Sequence, residues 1–281
     1  MTDTRRVLVA GATGQQGGAV ARALLEKGHQ IRALTRNPAS DRAVALRDRG
    51  AEVFLGSFDD AGTLAAAVDG VDAVFAMSTF HEAGLEGETR QAIALVEAAK
   101  KARVSHFVFS SVASADQKTG IPHFDSKRRV EEHLDRADVP YTVVAPVYFM
   151  DNLISPFSLP ALKEGNFAQP LPAGRKLQMV AVENIGQFAA LAIEKRDPFL
   201  CKRVDIASDE LTGADVVATL NEVTGKSLGY VEVPLDAMRR QSEEMAIMYE
   251  WFDKVGYDVD LGQLRKTYPE VGWKRLADWA R

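Results

Sequence analysis

Cysteine is what the 281-residue chain has least of, with Cys201 standing alone. One thiol cannot close an internal disulfide or build a thiolate metal cluster, so a disulfide scaffold and a zinc ribbon are excluded. The histidines, His29, His81, His106, His123 and His133, nowhere fall at the spacing of a helix-borne zinc pair, and no metal site is expected. No apolar run is long enough to cross a bilayer, and the chain turns charged and then strand-like within a few residues of its start, without the apolar core of a secretion signal. A cytoplasmic protein with no membrane partner is the expectation. Basic residues are not in excess either: 34 Lys and Arg stand against 39 Asp and Glu, a net charge of −5. That balance disfavours the broad phosphate-binding face of a protein that contacts DNA or RNA directly. Repeats and low-complexity segments are also missing.

What is present is an ordinary globular composition, 46% hydrophobic and 26% charged, long enough to bury one large core or one core with a lobe attached. It is organised around residues 7–25, VLVAGATGQQGGAVARALL. Val7, Leu8 and Val9 form a short apolar run without polar alternation, as in a parallel strand covered on both faces. Gly11, Gly14 and Gly17 follow at G-x-x-G-x-x-G spacing, and Ala19, Val20, Ala23 and Leu24 then recur at helical intervals. A strand, a glycine turn and a helix in this order make a dinucleotide-binding site in outline. The first glycine permits the turn, the second removes a Cβ that would block a diphosphate, and the third lets the helix lie close to the strand. Thr13 and Gln16, in the same turn, are counted with the glycines as cofactor contacts. About 20 residues beyond the motif, where a ribose-binding carboxylate is usual, stand Thr35, Arg36 and Asn37. A guanidinium there can grip a 2′-phosphate, so Arg36 favours NADP over NAD, with NADPH preferred to NADH; the alternative is a solvated arginine at a strand end.

Strand and helix patterns then alternate. Residues 29–35, 52–55, 73–77 and 106–109 read as strands, separated by helices from about 41–46, 61–68 and 84–101, with Ser40 or Asp41 as a cap. This alternation predicts an α/β fold, a Rossmann-like doubly wound parallel sheet with right-handed crossovers, carrying a smaller α/β C-terminal lobe. Ligands of such sheets lie beyond the C-terminal strand ends. Met77, Ser78, Thr79 and the following Phe80 and His81 are therefore expected at the cofactor, as is Ser110 or Ser111. Asp59 occupies a place near the adenine in related folds, or else caps the next helix.

Residues 121–130 read IPHFDSKRRV. In short-chain dehydrogenases a Tyr and a Lys one helical turn apart do the chemistry, the phenol donating a proton and the ammonium lowering its pKa and holding the nicotinamide ribose. Lys127 fits the lysine, and four residues earlier stands His123 in place of the tyrosine. His123 can itself donate a proton near neutrality, or it is a polar residue at a helix start.

Together the glycine triplet, TRNP at 35–38, HFDSKRRVEE at 123–132, PVYFMDNL at 146–153, VENIG at 182–186 and SDELT at 208–212 resemble the NmrA-like proteins, atypical short-chain dehydrogenase/reductases. The resemblance implies NADP(H) held at Gly11, Gly14, Gly17 and Arg36, with Lys127, Tyr148 and Phe149 near the nicotinamide. It also implies a division of function. Some members are redox sensors that bind the dinucleotide and change their association with regulatory proteins; others are reductases of quinones or small aromatic and carbonyl compounds. His123 matches the sensor-like pattern, while Lys127 serves either purpose, so an NADPH-dependent oxidoreductase is the alternative to a regulatory binding protein.

Residues 127–137 read as a helix and 141–145 as a sixth strand, after which prolines 146, 156, 160, 170 and 172 break the alternation. That run suits a lid over the cofactor lined by Tyr148, Phe149, Phe157 and Phe167, or a connection whose aromatics pack on the sheet. Residues 177–180, 203–206 and 230–233 read as strands and 185–194 as a helix; Thr212 caps another, with Asp215 in its first turn. Met238, Met245, Met248, Trp251 and Phe252 shape either a core or a groove for a small apolar substrate or partner. The tail, with Leu261, Leu264, Tyr268, Trp273, Leu276 and Trp279, is apolar enough to dock on this lobe. The expected organisation is a dinucleotide-binding domain over 1–150, to which 177–207 adds back, and a lobe with its lid over 151–281. An oligomer is compatible with all of this.

Overall fold

Short apolar runs alternating with 3.6-residue periodicity give the first half of the chain its strand and helix units. The computed structural model describes residues 4–281, except the side chains of His81 and Glu82, so the expected role of His81 lies outside the described residues. In order, the elements are β1 (Arg6–Ala10), α1 (Gln15–Glu26), β2 (Gln30–Thr35), α2 (Asp41–Asp48), β3 (Glu52–Leu55), α3 (Ala61–Val68), β4 (Ala73–Met77), α4 (Phe80–Lys101), β5 (His106–Ser110), α5 (Pro122–Leu134) and β6 (Tyr141–Pro146). Then come β7 (Tyr148–Phe149), α6 (Leu159–Lys163), β8 (Asn166–Gln169), β9 (Lys176–Val180), α7 (Val182–Glu194), β10 (Lys202–Ile206), β11 (Asp209–Thr212) and α8 (Gly213–Thr224). The last are β12 (Gly229–Glu232), α9 (Leu235–Gln241), α10 (Glu243–Lys254), α11 (Leu261–Thr267) and α12 (Leu276–Trp279).

The main sheet has seven strands in the order β10-β6-β5-β4-β1-β2-β3, every pair parallel. Its central strands β1, β4 and β5 are apolar between their end residues because helices cover both faces. Val7, Val9 and Phe75 pack with α1, α2 and α7, while Leu8, Val74 and Phe107 pack with α3, α4 and α5. Strand order reverses at β1, which has β2 on one side and β4 on the other. The crevice beyond the C-terminal strand ends opens there.

Two small sheets, β11-β9-β7 and β12-β8, build the lobe. Of residues 177–207, β10 joins the main sheet and α7 packs against it, while β9 lies outside that sheet. β10 already holds the edge beside β6, so β9 pairs with β7, which continues from β6. Residues 235–254 form two helices, α9 and α10, because Ser242 breaks the chain into extended backbone and caps α10 through Met245 N–H. Met248, Trp251 and Phe252 are lobe core. The capping pair Thr212 and Asp215 forms a reciprocal box at α8, as their spacing indicates.

The tail does more than dock on the lobe. Leu276 and Trp279 pack there, but Leu264, Tyr268, Val271 and Trp273 reach the main core. Tyr268 sits edge-on to Phe188 of α7 at 5.1 Å and stacks on Phe199 at 5.5 Å. The buried Asn184 side chain fastens this strap, donating to the Val271 and Gly272 carbonyls and accepting from Lys274 N–H at 2.8 Å.

Two sites invite measurement. A Cβ on Gly186 would lie 2.6 to 2.9 Å from Ala19 of α1, so the two helices meet backbone against backbone. Gly186→Ala is expected to cost about 1 to 3 kcal/mol in denaturant unfolding by prising them apart. His106 is fully buried. The Thr142 hydroxyl gives its one proton to the Phe199 carbonyl at 2.8 Å, so it accepts from His106 Nε2–H, and Nδ1 is left without a partner. Burial above all, with the charges of Arg196 and Arg5, lowers the His106 pKa from 6.5 to about 4. The unfolded chain therefore binds a proton that the folded chain refuses, and stability falls as pH drops through that window. His106 should remove about 2 kcal/mol between pH 8 and pH 5, a slope that His106→Asn flattens in the same unfolding measurement.

Candidate functional site

The site is assembled at the C-terminal edge of the sheet, starting from the turn between β1 and α1. Gly11 adopts φ 66, a left-handed conformation, and its carbonyl accepts from Gly14 N–H at 2.8 Å. A Cβ on Gly17 would stand 2.3 Å from that same carbonyl oxygen, so α1 can lie this close to the strand only with glycine there. Gly14 is the N-cap of α1 and no side chain caps it; no acidic residue occupies the first turn. The amides at this helix end and its positive dipole thus face a cradle suited to an anion. Beside it lies a recess of about 340 Å³ bordered by Thr13, Gly14, Gln15, Arg22, Arg42 and Arg49. These features fit a dinucleotide diphosphate.

Neighbouring strand ends are tied to the turn. The Ser110 hydroxyl donates to Gln16 Oε1 at 2.6 Å, joining the end of β5 to the first turn of α1. Met77, the last residue of β4, lies against the turn, its sulfur 2.7 Å from where a Gly11 Cβ would be. Arg42 Nη1 donates to the Thr13 carbonyl at 3.1 Å. Arg36 is exposed immediately after β2.

A second cluster occupies the far half of the edge. Lys127 Nζ lies 2.9 Å from Glu88 Oε1, and it donates to the Ser78 carbonyl at 2.6 Å and the Ser78 hydroxyl at 3.0 Å. These acceptors match the three protons of the ammonium. The other Glu88 oxygen accepts from the Ser126 hydroxyl, and Glu88 is 0% exposed. Burial pulls the Lys127 pKa below the ordinary lysine range, while Glu88 holds it up.

Because Pro122 starts α5, five residues before Lys127, His123 falls in the first turn and one turn from the lysine. Its Nδ1 is 2.7 Å from Glu244 Oε1 on α10, and its ring stacks on Phe80 at 5.2 Å between centroids. Burial lowers the His123 pKa, against the Glu244 hydrogen bond and charge, which raise it. With the carboxylate oxygen as acceptor, Nδ1–H is the donor of this bond.

Other expected contacts are elsewhere. Asp59 is exposed and binds Gln91 Nε2 at 2.9 Å and Arg90; the helix cap is its neighbour Asp60, which accepts from Gly62 and Thr63 N–H. Side chains alternate along an extended strand, so Tyr148 and Phe149 face opposite ways. Phe149 packs on the main core with Met77, whereas Tyr148 turns into the lobe, edge-on to Phe252 at 6.3 Å. Phe167 is likewise lobe core, so the proline-rich stretch is a packed connection there, whereas Phe157 is 68% exposed. Thr79 is half-buried between Ser78 and α4.

Glu88, Glu244 and Arg42 were not singled out in the sequence. Glu88 had a signal: it precedes Ala92, Leu95 and Ala99 by four, seven and eleven positions, on the apolar face of α4. A carboxylate on a buried helix face needs a cation, and Lys127 is it. Asp60→Ala should cost about 1 kcal/mol in thermal unfolding through the lost cap, whereas Asp59→Ala should stay within about 0.5 kcal/mol.

The model of the NmrA-like family matches residues 3–280. Among curated proteins, the NAD(P)H azoreductase of Xenophilus azovorans is 28% identical over 241 residues, covering 86% of this chain and 82% of that one. Among solved structures, the Citrobacter sp. triphenylmethane reductase complexed with NADP(H) superposes with a TM-score of 0.82 at 22% identity, over 98% of this chain and 100% of that one. NmrA, a negative transcriptional regulator, in complex with NADP, gives 0.82 at 20% identity over 99% and 94%. At these identities the structural likeness is one of fold. No helix among the described residues is long and apolar enough to cross a membrane.

Proposed function

Because the chain belongs to the NmrA-like family, we propose that it binds NADP(H) along the C-terminal edge of the main sheet and reports the bound form through its C-terminal lobe, as a redox-responsive binding protein acting on a regulatory partner. The glycine turn, with Gly11, Gly14, Gly17 and Gln16, takes the diphosphate. Arg36 takes the 2′-phosphate, which makes NADPH the preferred reduced form, and Lys127 takes the nicotinamide ribose. When bound, the nicotinamide supplies a hydride acceptor or donor; the protein supplies its position. The setting is the cytosol.

One turn of α5 carries this reading. Lys127 is bonded to the residue just after β4 and to α4 through Ser78 and Glu88, and His123, four residues before it, is bonded to Glu244 of the lobe. A ligand that draws Lys127 toward a ribose disturbs a helix whose first turn holds the lobe. A response to redox state further requires that the two forms bind with different affinity. The likeness to the azoreductase over 86% of the chain favours a second reading, NADPH-dependent reduction of a small, apolar quinone, azo or carbonyl compound.

Arg36→Ala is expected to weaken NADPH by about tenfold or more, the worth of a charge-assisted pair, and to leave NADH nearly unchanged. Calorimetry decides this, and equal losses would remove the phosphate contact. Against a panel of quinones, azo dyes and aldehydes, NADPH oxidation should stay at background. Sustained turnover that disappears in Lys127→Ala would replace the regulatory reading by the reductase.

A further inference from the structure

We propose that Glu88 sets the relative affinity of the site for the oxidised and reduced dinucleotide. The inference rests on the dinucleotide reading above and concerns its nicotinamide end. With strand order reversing at β1, a dinucleotide along this edge has its adenosine half on the Arg36 side and its nicotinamide half over the end of β4. That end is where Ser78, Lys127 and Glu88 meet.

The oxidised nicotinamide ring carries a positive charge and the reduced ring none, while their outlines are nearly alike. Charge is therefore the main property by which a rigid site distinguishes them. An ammonium at this place repels the oxidised ring, and the carboxylate paired with it offsets that repulsion, so the balance between the two sets the preference. The other charges around the pair are committed. Glu131, on the same helix as Lys127, is held by Arg203 and Arg128. Glu244 of the lobe is hydrogen-bonded to His123 Nδ1, and Ser78 and Ser126 are neutral. Glu88 is fully buried, so neither water nor salt screens it as at a surface. It is the anion that balances Lys127.

The test is calorimetric titration of the full chain with NADP⁺ and with NADPH, read as the ratio of the two dissociation constants. Any change that weakens both forms equally, a loosened fold included, cancels in that ratio. Glu88→Gln leaves the ammonium unbalanced and should raise the NADP⁺ to NADPH ratio about tenfold, the size expected of one uncompensated charge in a partly screened site. It is measured at pH 6.5, because burial already lowers the Lys127 pKa. Lys127→Gln leaves the carboxylate unbalanced and should move the ratio the opposite way at pH 8; the double variant should restore the wild-type ratio. If Glu88→Gln fails to fold, the sign of the Lys127→Gln shift decides alone. Unchanged ratios, or shifts of the same sign in both single variants, overturn the inference while leaving the dinucleotide reading intact. A wild-type chain that binds neither form overturns both.

Discussion

Everything in the main domain is set by how closely α1 lies on the end of β1. The Gly11 carbonyl occupies the space that any side chain at position 17 would need, and Ala19, one half-turn on, is met from the other side by Gly186 of α7. The helix is thus clasped between a strand and a second helix at two points where no Cβ is tolerated. Its N-terminal amides are aimed over the strand ends because the helix cannot retreat. Close-packed interiors admit little adjustment at such junctions, so the cradle is fixed by packing before any ligand arrives.

Much of this was legible in the chain. The alternating strands, the glycine turn, the Ser40 and Thr212 caps and the Lys127 position follow from local pattern, since parallel strands and capped helices have strong short-range signatures. Pairings between distant segments were not. Nothing near His123 announces Glu244, which lies 121 positions away, and nothing in the prolines around Pro146 says that Tyr148 faces the lobe while Phe149 faces the main core. The strap from α11 to Trp273 was missed for the same reason: its partners on α7 identify themselves only by proximity. Glu88 stood between these cases, visible as a charge on an apolar face but not attributable to a partner until α5 was in place.

The two carboxylates that flank α5 differ in kind. Glu88 is sealed among main-domain elements, and removing its cation would leave a charge in the interior. Glu244 is partly exposed and comes from the lobe, so its bond to His123 is renewed or broken at lower cost. One helix therefore carries a permanent tie and an exchangeable one within a single turn. That arrangement suits a joint between a rigid scaffold and a part that is adjusted.

The strap has a consequence for how the molecule comes into being. Phe188 and Phe199 belong to the main core, yet the rings that cover them, Tyr268 and Trp273, are made dozens of residues later. During synthesis the nearly finished sheet must wait with an aromatic face still wet, in the state most open to chaperones and to association with other nascent chains.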